Sequence, residues 1–246
     1  MILKYSIVLS SLYALSFILG LFVKHKNLRV NYSRKILAFL FFISGYLVLV
    51  YFPTDNDNVI NTILGLLVPL FWLLSFQNFF TKKSKFLKTC FLSFDRPEDR
   101  PYTLLWFITS MIAGYLVMFS TIAWLELYQA EHLFAIAVFV STFGDGLAEP
   151  IGVKYGKHKY KTRALFTNRI YYRTLEGSAC VFFSALASII SIGNGLPTSQ
   201  YVFLLIVMPV AMAITEAKSP HTWDNPFLLL VGGVVTVASL HVQYIF

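Results

Sequence analysis

The chain has 246 residues, 57% of them hydrophobic and 13% charged, with a mean hydropathy of +0.67. A soluble domain carries about 25% charged residues, so this composition excludes an ordinary soluble globule and points to an all-α, polytopic transmembrane helix bundle. The net charge of +8 does not require a nucleic-acid partner, because basic loops flanking apolar spans account for it. Two cysteines, Cys90 and Cys180, fit neither a disulfide framework nor a zinc spacing and are read as packing residues.

Runs of about 17–25 apolar residues are transmembrane candidates. Eight occur in chain order: Ile2–Val23, Ile36–Phe52, Val59–Phe80, Thr103–Trp124, His132–Glu149, Gly177–Ile192, Tyr201–Ala217 and Phe227–Tyr244. The first is too long for a signal-peptide core and lacks a basic start, so it is expected to be a retained helix. The first, third, fifth and seventh loops hold nineteen of the twenty basic residues, and Lys4 is the exception. The second, fourth and sixth loops ("FPTDNDN", "LELYQAE", "GNGLPTSQ") hold none. Basic loops stay in the cytoplasm, which predicts both termini outside. With no internal repeat and no soluble segment, one membrane domain over 1–246 is the simplest organisation.

In the third loop, Phe86, Leu87, Cys90, Phe91 and Phe94 share one helical face, with most lysines off it. That pattern fits a helix in the headgroup layer as well as it fits a solvated basic loop. Asp95, Glu98 and Asp99 stand among arginines and are expected to pair locally, whereas Asp55, Asp57, Glu126 and Glu131 lie in short outer loops.

Five acids remain at the cytoplasmic ends of helices. Glu176 is placed at a helix start, where the dipole favours a carboxylate. Asp224-Asn225-Pro226 reads as an Asx cap followed by proline. Asp145, Glu149 and Glu216 are expected at C-terminal ends, where the dipole opposes an anion; Asp145 and Glu149 also repel at i,i+4. A cation should compensate. Mg²⁺ suits such a place, since it binds one or two carboxylates together with substrate phosphates.

Gly152, Gly156, Lys154, Lys157, Lys159, Lys161, Arg169 and Arg173 follow these acids. Glycines permit close backbone approach, the basic residues carry charge, and the next helix presents its N-terminus to the same face. Together these features predict a nucleotide site in the loops around 141–178 and 216–226. "GVKYGKH" lacks the spacing of a P-loop. Gly152-x-x-x-Gly156 is set aside as a helix-packing motif because it is expected in a polar loop. His158 and His221 lack metal-ligand spacing, and Pro69, Pro209 and Gly232-Gly233 are assigned to kinks and packing.

"GDGLAEPIGVKYGKHKYK" followed by "RTLEGS" resembles the signature of the membrane-bound CTP-using enzymes: phytol kinase, dolichol kinase and phosphatidate cytidylyltransferase. Asp145, Ala148, Gly152, Gly156, Lys157, Thr174, Glu176 and Gly177 match it, with Arg173 where lysine is usual. "SRK" at Ser33–Lys35, and Glu216 followed by Asp224-Asn225, resemble the phytol kinase branch; the cytidylyltransferase tail signature is absent.

The resemblance implies a CTP-dependent kinase of a lipid alcohol (a prenol such as phytol or polyprenol, or diacylglycerol) acting at the cytoplasmic face. It implies Mg²⁺ at Asp145 and Glu149, and CTP held by Gly152, Lys154, Gly156, Lys157, Arg173, Thr174, Glu176 and Asn225, with Arg34 and Lys35. Asp145 is implied as catalytic, with Glu216 or Asp224 near the acceptor hydroxyl as base. A cytidylyltransferase is the alternative, and a transporter the second. The expected partners are nucleotide, lipid alcohol and membrane lipids, with no nucleic acid; a homo-oligomer is compatible with all of this. A bacterial plasma membrane is the expected location, or an ER or plastid membrane in a eukaryote.

Overall fold

A computed structural model describes residues 2–51 and 59–242, with the side chains of residues 2, 41–51, 59–63 and 66 outside the description. The acids Asp55 and Asp57 therefore lie outside the described residues. The chain divides into two compact units, Met1–Ile108 and Thr109–Phe246, where one bundle was the simplest expectation.

The first unit contains α1 (Ile2–Lys26), α2 (Val30–Tyr51), α3 (Val59–Leu74), α4 (Asn78–Lys83) and α5 (Lys85–Leu92). The expected span Val59–Phe80 stops at Leu74 because Ser75 and Gln77 interrupt the apolar run. Phe76 and Gln77 bond back to Leu73 and Leu74 in a tight turn, and α4 begins at Asn78. At 1.5 Å per residue, the 16 residues of α3 cover about 24 Å, less than a bilayer core of about 30 Å. The third loop is helical and docked rather than a free solvated loop. Ser84 caps α5 by accepting from the Leu87 amide, Cys90 is fully buried, and Phe86 stacks on Phe17 of α1 at 5.0 Å. Gly20 of α1 lies so close to Thr89 that a Cβ there would come within 1.9 Å of the Thr89 carbonyl oxygen.

Asp95 and Asp99 pair locally, as expected. Arg96 donates to Asp99 at 2.7 Å and Arg100 to Asp95 at 2.6 Å, while the Thr103 hydroxyl gives Asp95 a second donor at 2.8 Å.

From α6 (Thr103–Glu126) the chain enters the second unit: α7 (Phe134–Phe139), a π-helical turn at Val140–Gly144, α8 (Asp145–Tyr155), a hairpin of β1 (Lys159–Arg163) and β2 (Ile170–Thr174), α9 (Leu175–Ile192), α10 (Thr198–Lys218) and α11 (Asp224–Val242). Helix α9 packs on α8 and α10, α10 on α11, and α11 on α7, which closes a ring of four membrane-length segments. Ile136, Val140, Val181, Ile189, Leu204, Met208, Met212 and Leu228 fill its centre.

Lipid tails are as apolar as leucine, so helices in a membrane associate through close packing, which small residues permit. Gly232 faces Ala137, Gly233 faces Thr121, and Gly144 lies against Val181. Among the described residues, six helical segments are long and apolar enough to cross a membrane: Leu3–Lys26, Thr103–Glu126, Glu131–Tyr155, Leu175–Ile192, Thr198–Lys218 and Asp224–Val242. The protein is thus a helical bundle with multi-pass membrane character; α2 and α3 are helices where two further spans were expected, but are not among the six.

Candidate functional site

Two expectations about local structure change at the end of the Glu131–Tyr155 segment. "EPIG" was expected to break the helix, yet α8 runs through Pro150 and stops only at Gly156, whose amide bonds to the Gly152 carbonyl at 3.1 Å. Proline is costly here only for the one amide it removes and for its clash with the preceding turn, and the π-helical turn at Val140–Gly144 loosens the helix just upstream. Asp145 therefore begins α8 and Glu149 lies mid-helix, so neither feels the C-terminal dipole, which fades within the last turn. That premise for a metal at these two acids is corrected. They remain one turn apart and half-buried.

The second change concerns the glycines. Because α8 continues, Gly144, Ala148 and Gly152 form a ridge of small residues at i,i+4 spacing, and it packs on the start of α9. A Cβ on Gly152 would meet the Thr174 hydroxyl at 2.7 Å, and one on Gly177 would meet the Ala148 carbonyl at 2.8 Å. Gly152, inside α8, and Gly156, its C-cap, both lie against Thr174, so the two glycines serve packing at the helix end rather than a free polar loop.

Thr174 caps α9, its buried hydroxyl accepting from the Gly177 amide at 3.1 Å, so the helix starts at Leu175 rather than near Gly177. Glu176, in the first turn as expected, reaches across to the loop after α8. It accepts from the Lys157 amide at 3.1 Å and the His158 amide at 3.3 Å, and pairs with His158 Nδ1 at 2.8 Å. The Gly156-Lys157 turn is thereby tied to the N-terminus of α9.

The hairpin was not expected. Its signal was in the sequence: "KYKTR" alternates long basic side chains with Tyr and Thr, and "IYYRT" is rich in β-branched and aromatic residues. Cross-strand partners share a face, and the pairs Tyr160–Arg173 and Thr162–Tyr171 point inward. Thr162 donates to the Ser219 carbonyl at 3.1 Å, Tyr171 stacks on His221 with ring centroids 3.7 Å apart, and the His221 amide donates to the Arg163 carbonyl. These contacts fasten the hairpin to the turn between α10 and α11.

Arg173 is the centre of the site. Its guanidinium, with 11% of the side chain exposed, donates to the main-chain carbonyl of Glu216, to Glu216 Oε1 at 3.1 Å, to Ser219 Oγ at 3.2 Å and to Asp224 Oδ1. Burial favours loss of its proton, but the charges of Asp224, Glu216 and Asp145 outweigh that and raise its pKa above the ordinary value. Glu216 lies in the last turn of α10, as expected, and Arg173 supplies a cation that offsets its unfavourable position. The other carboxylate oxygen of Glu216 accepts from Ser178 at 2.6 Å and from the Tyr160 phenol at 3.3 Å. Burial first, and then the charge of Glu216, push the Tyr160 phenol up to about 12.

Asp224 begins α11 and also accepts from Ser219 at 2.9 Å. Asn225 accepts from Ser141 of the π-helical turn at 2.8 Å, which joins α11 to the segment that aims Asp145. Such turns are frequent at functional sites. Tyr160, Ser178, Ser219 and Ser141 escaped the sequence reading because hydroxyls are common and their partners lie far away in the chain.

Asp145, Glu216, Asp224 and Arg173 thus belong to one electrostatic cluster, while Glu149 lies one turn from Asp145. Exposed Lys154, whose ammonium lies 4.9 Å from the Tyr155 ring centroid, and exposed Lys157 flank the end of α8. Arg34 and Lys35 belong to the first unit: Arg34 is 3.8 Å from Asp99, and Lys35 is buried. Among the described residues, no three His, Cys, Asp or Glu side chains gather closely enough to enclose a metal by themselves. Asp145 and Glu149 fit only an ion that takes the rest of its shell from phosphate and water, as Mg²⁺ does.

This arrangement defines a multi-pass helical protein with a charged cluster at one end of a four-segment ring. Compared with protein-family models, curated proteins and solved structures, the chain finds no match.

Proposed function

We propose that the protein is a membrane-embedded, CTP-dependent kinase of lipid alcohols. The observation that carries this is the convergence of Asp145, Glu216 and Asp224, from three separate membrane-length segments, on the single guanidinium of Arg173. Phosphoryl transfer needs little covalent chemistry from the protein; it needs positioning and charge stabilisation. Asp145 and Glu149 would hold Mg²⁺, which supplies charge neutralisation at the nucleotide phosphates.

Lys154 and Lys157, exposed at the end of the helix that carries those acids, suit phosphate oxygens. Glu176 fixes the turn that carries Lys157. Asp224 is the base we assign to the acceptor hydroxyl, its greater exposure than Glu216, 16% against 6%, supporting that choice. That hydroxyl oxygen bonds to the γ-phosphorus of CTP, the bond from the γ-phosphorus to the bridging oxygen breaks, and CDP leaves.

Protein purified into nanodiscs is incubated with Mg²⁺, phytol, farnesol, dolichol, diacylglycerol or phosphatidate, and with CTP labelled at either the γ or the α position. Label is expected to enter lipid from the γ position alone. Entry from the α position, with pyrophosphate released, would make the protein a cytidylyltransferase, and entry from neither would sink the enzyme. The proposal also puts the basic loops in the cytoplasm. Single-cysteine labelling in intact cells, with Cys90 and Cys180 replaced, should reach position 194 and not position 157; the reverse would place the site on the outer face.

A further inference from the structure

The inward face of the hairpin belongs to the site; its outward face does not. Lys159, Lys161 and Arg163 alternate along the exposed side of β1. Across from them on β2, Tyr172 pairs with Lys161 and Ile170 with Arg163, and these two side chains are 64% and 53% exposed. Basic and apolar side chains thus share one sheet face, which meets the bundle only at its end, where Thr174, the partner of Lys159, is buried against Gly152 and Gly156 of the α8 end.

The position of this face is set by the chain. Strand β2 ends at Thr174, and α9, one of the membrane-length helices, begins at the next residue, Leu175, itself 59% exposed. No linker separates hairpin from membrane span. At about 3.3 Å per residue, Tyr172 lies within about 10 Å of Leu175. The headgroup layer on each side of a bilayer is roughly 5–8 Å thick. Tyrosine is enriched in that layer, and lysines and arginines held there are drawn to anionic lipid.

We propose that the outward face of the hairpin, built from Lys159, Lys161, Arg163, Ile170 and Tyr172, docks on the anionic headgroups of the bilayer that the protein spans. The basic residues contact lipid phosphates, and Tyr172 and Ile170 enter the boundary beside Leu175. The surface is independent of the reaction proposed above and is tested without it.

The test places a spin label at Ile170→Cys in protein lacking Cys90 and Cys180. The protein is reconstituted in nanodiscs of phosphatidylcholine alone, or of phosphatidylcholine with phosphatidylglycerol. Collision of the label with an aqueous nickel chelate is expected to fall several-fold when phosphatidylglycerol is present, and to recover at high salt. Lys159→Gln, Lys161→Gln and Arg163→Gln together should abolish the difference, while a label at Asn194→Cys should show none. Equal accessibility in the two lipids would overturn the proposal, whether the label is open in both, as for a solvated face or one kept for an acidic protein, or shielded in both. Retention of the difference in the triple variant would also overturn it. If that variant does not fold, the comparison of the two lipids with the native basic residues still decides.

Discussion

Each unit of this protein buries carboxylates beside arginines, and the two do so in opposite ways. In the first unit, Asp95 and Asp99 meet Arg96 and Arg100 within a few residues of chain, with Arg34 3.8 Å from Asp99. Two acids face three guanidiniums, and the Thr103 hydroxyl supplies a further donor. In the second unit, Asp145 and, about 70 residues later in the chain, Glu216 and Asp224 share one guanidinium, that of Arg173. The first cluster is satisfied by its own sequence neighbourhood, as a structural clasp should be. The second is assembled by the fold from segments distant in the chain, and ionisable groups kept at the membrane boundary are candidates for function.

Removing the shared cation should expose that difference most strongly. Arg173→Met strips the buried Glu216 and the largely buried Asp224 of their partner, a loss that costs about 3–5 kcal/mol when a buried pair is broken from one side. Arg100→Met should cost less, roughly 1.5–3 kcal/mol, because Arg100 is 53% exposed and Asp95 keeps the Thr103 hydroxyl. Thermal midpoints in nanodiscs measure both, and protease cleavage between Ala164 and Arg169 should rise only in Arg173→Met. Equal destabilisation would erase the contrast between the clusters.

Asp145→Asn should separate function from stability. Loss of a metal-holding carboxylate removes several kcal/mol of charge stabilisation from the transition state, hence more than about 100-fold in rate. Its attraction to Arg173 and its repulsion from Glu216 disappear together, so the midpoint should move little. If Mg²⁺-dependent turnover of the Asn protein stays near that of the parent, Asp145 belongs with Asp95 and Asp99 as a structural acid.

The helical bundle was legible because apolar runs of membrane length carry their own signal, and the local pairing of Asp95 and Asp99 was legible because the partners are neighbours. Asp145, Glu216 and Asp224 could be picked out as acids in an apolar context. What joined them could not be. Arg173 lies on a hairpin only five residues per strand, too short for alternation to stand out amid lysines already explained by topology. The length of α8 was misjudged because Pro150 and Gly152 signal a break in water, whereas in a packed membrane bundle neighbouring helices tolerate both. With the helix ended at Glu149, Gly152 was read as a loop residue, and Asp145 and Glu149 as standing at a helix end.

The smallest expected effect concerns how finely Glu216 is held. Tyr160 and Arg173 are cross-strand partners, and both reach Glu216, the phenol at 3.3 Å and also through Ser178 at 2.6 Å. Tyr160→Phe removes one donor while Ser178 and Arg173 remain, so it should cost about 1 kcal/mol. A phenol raised in the fold from 10.0 to about 12 favours the protonated form. Its contribution is therefore complete below about pH 10 and is lost as the pH rises toward 12. The stability difference between parent and Tyr160→Phe should be flat from pH 6 to 9 and shrink above pH 10. Tyrosinate absorbance, taken as the difference between the two proteins, should develop with a midpoint near 12. A midpoint near the ordinary value would mean that the phenol is open to water and not turned onto Glu216, and the hairpin would then cap the cluster through Arg173 without Tyr160.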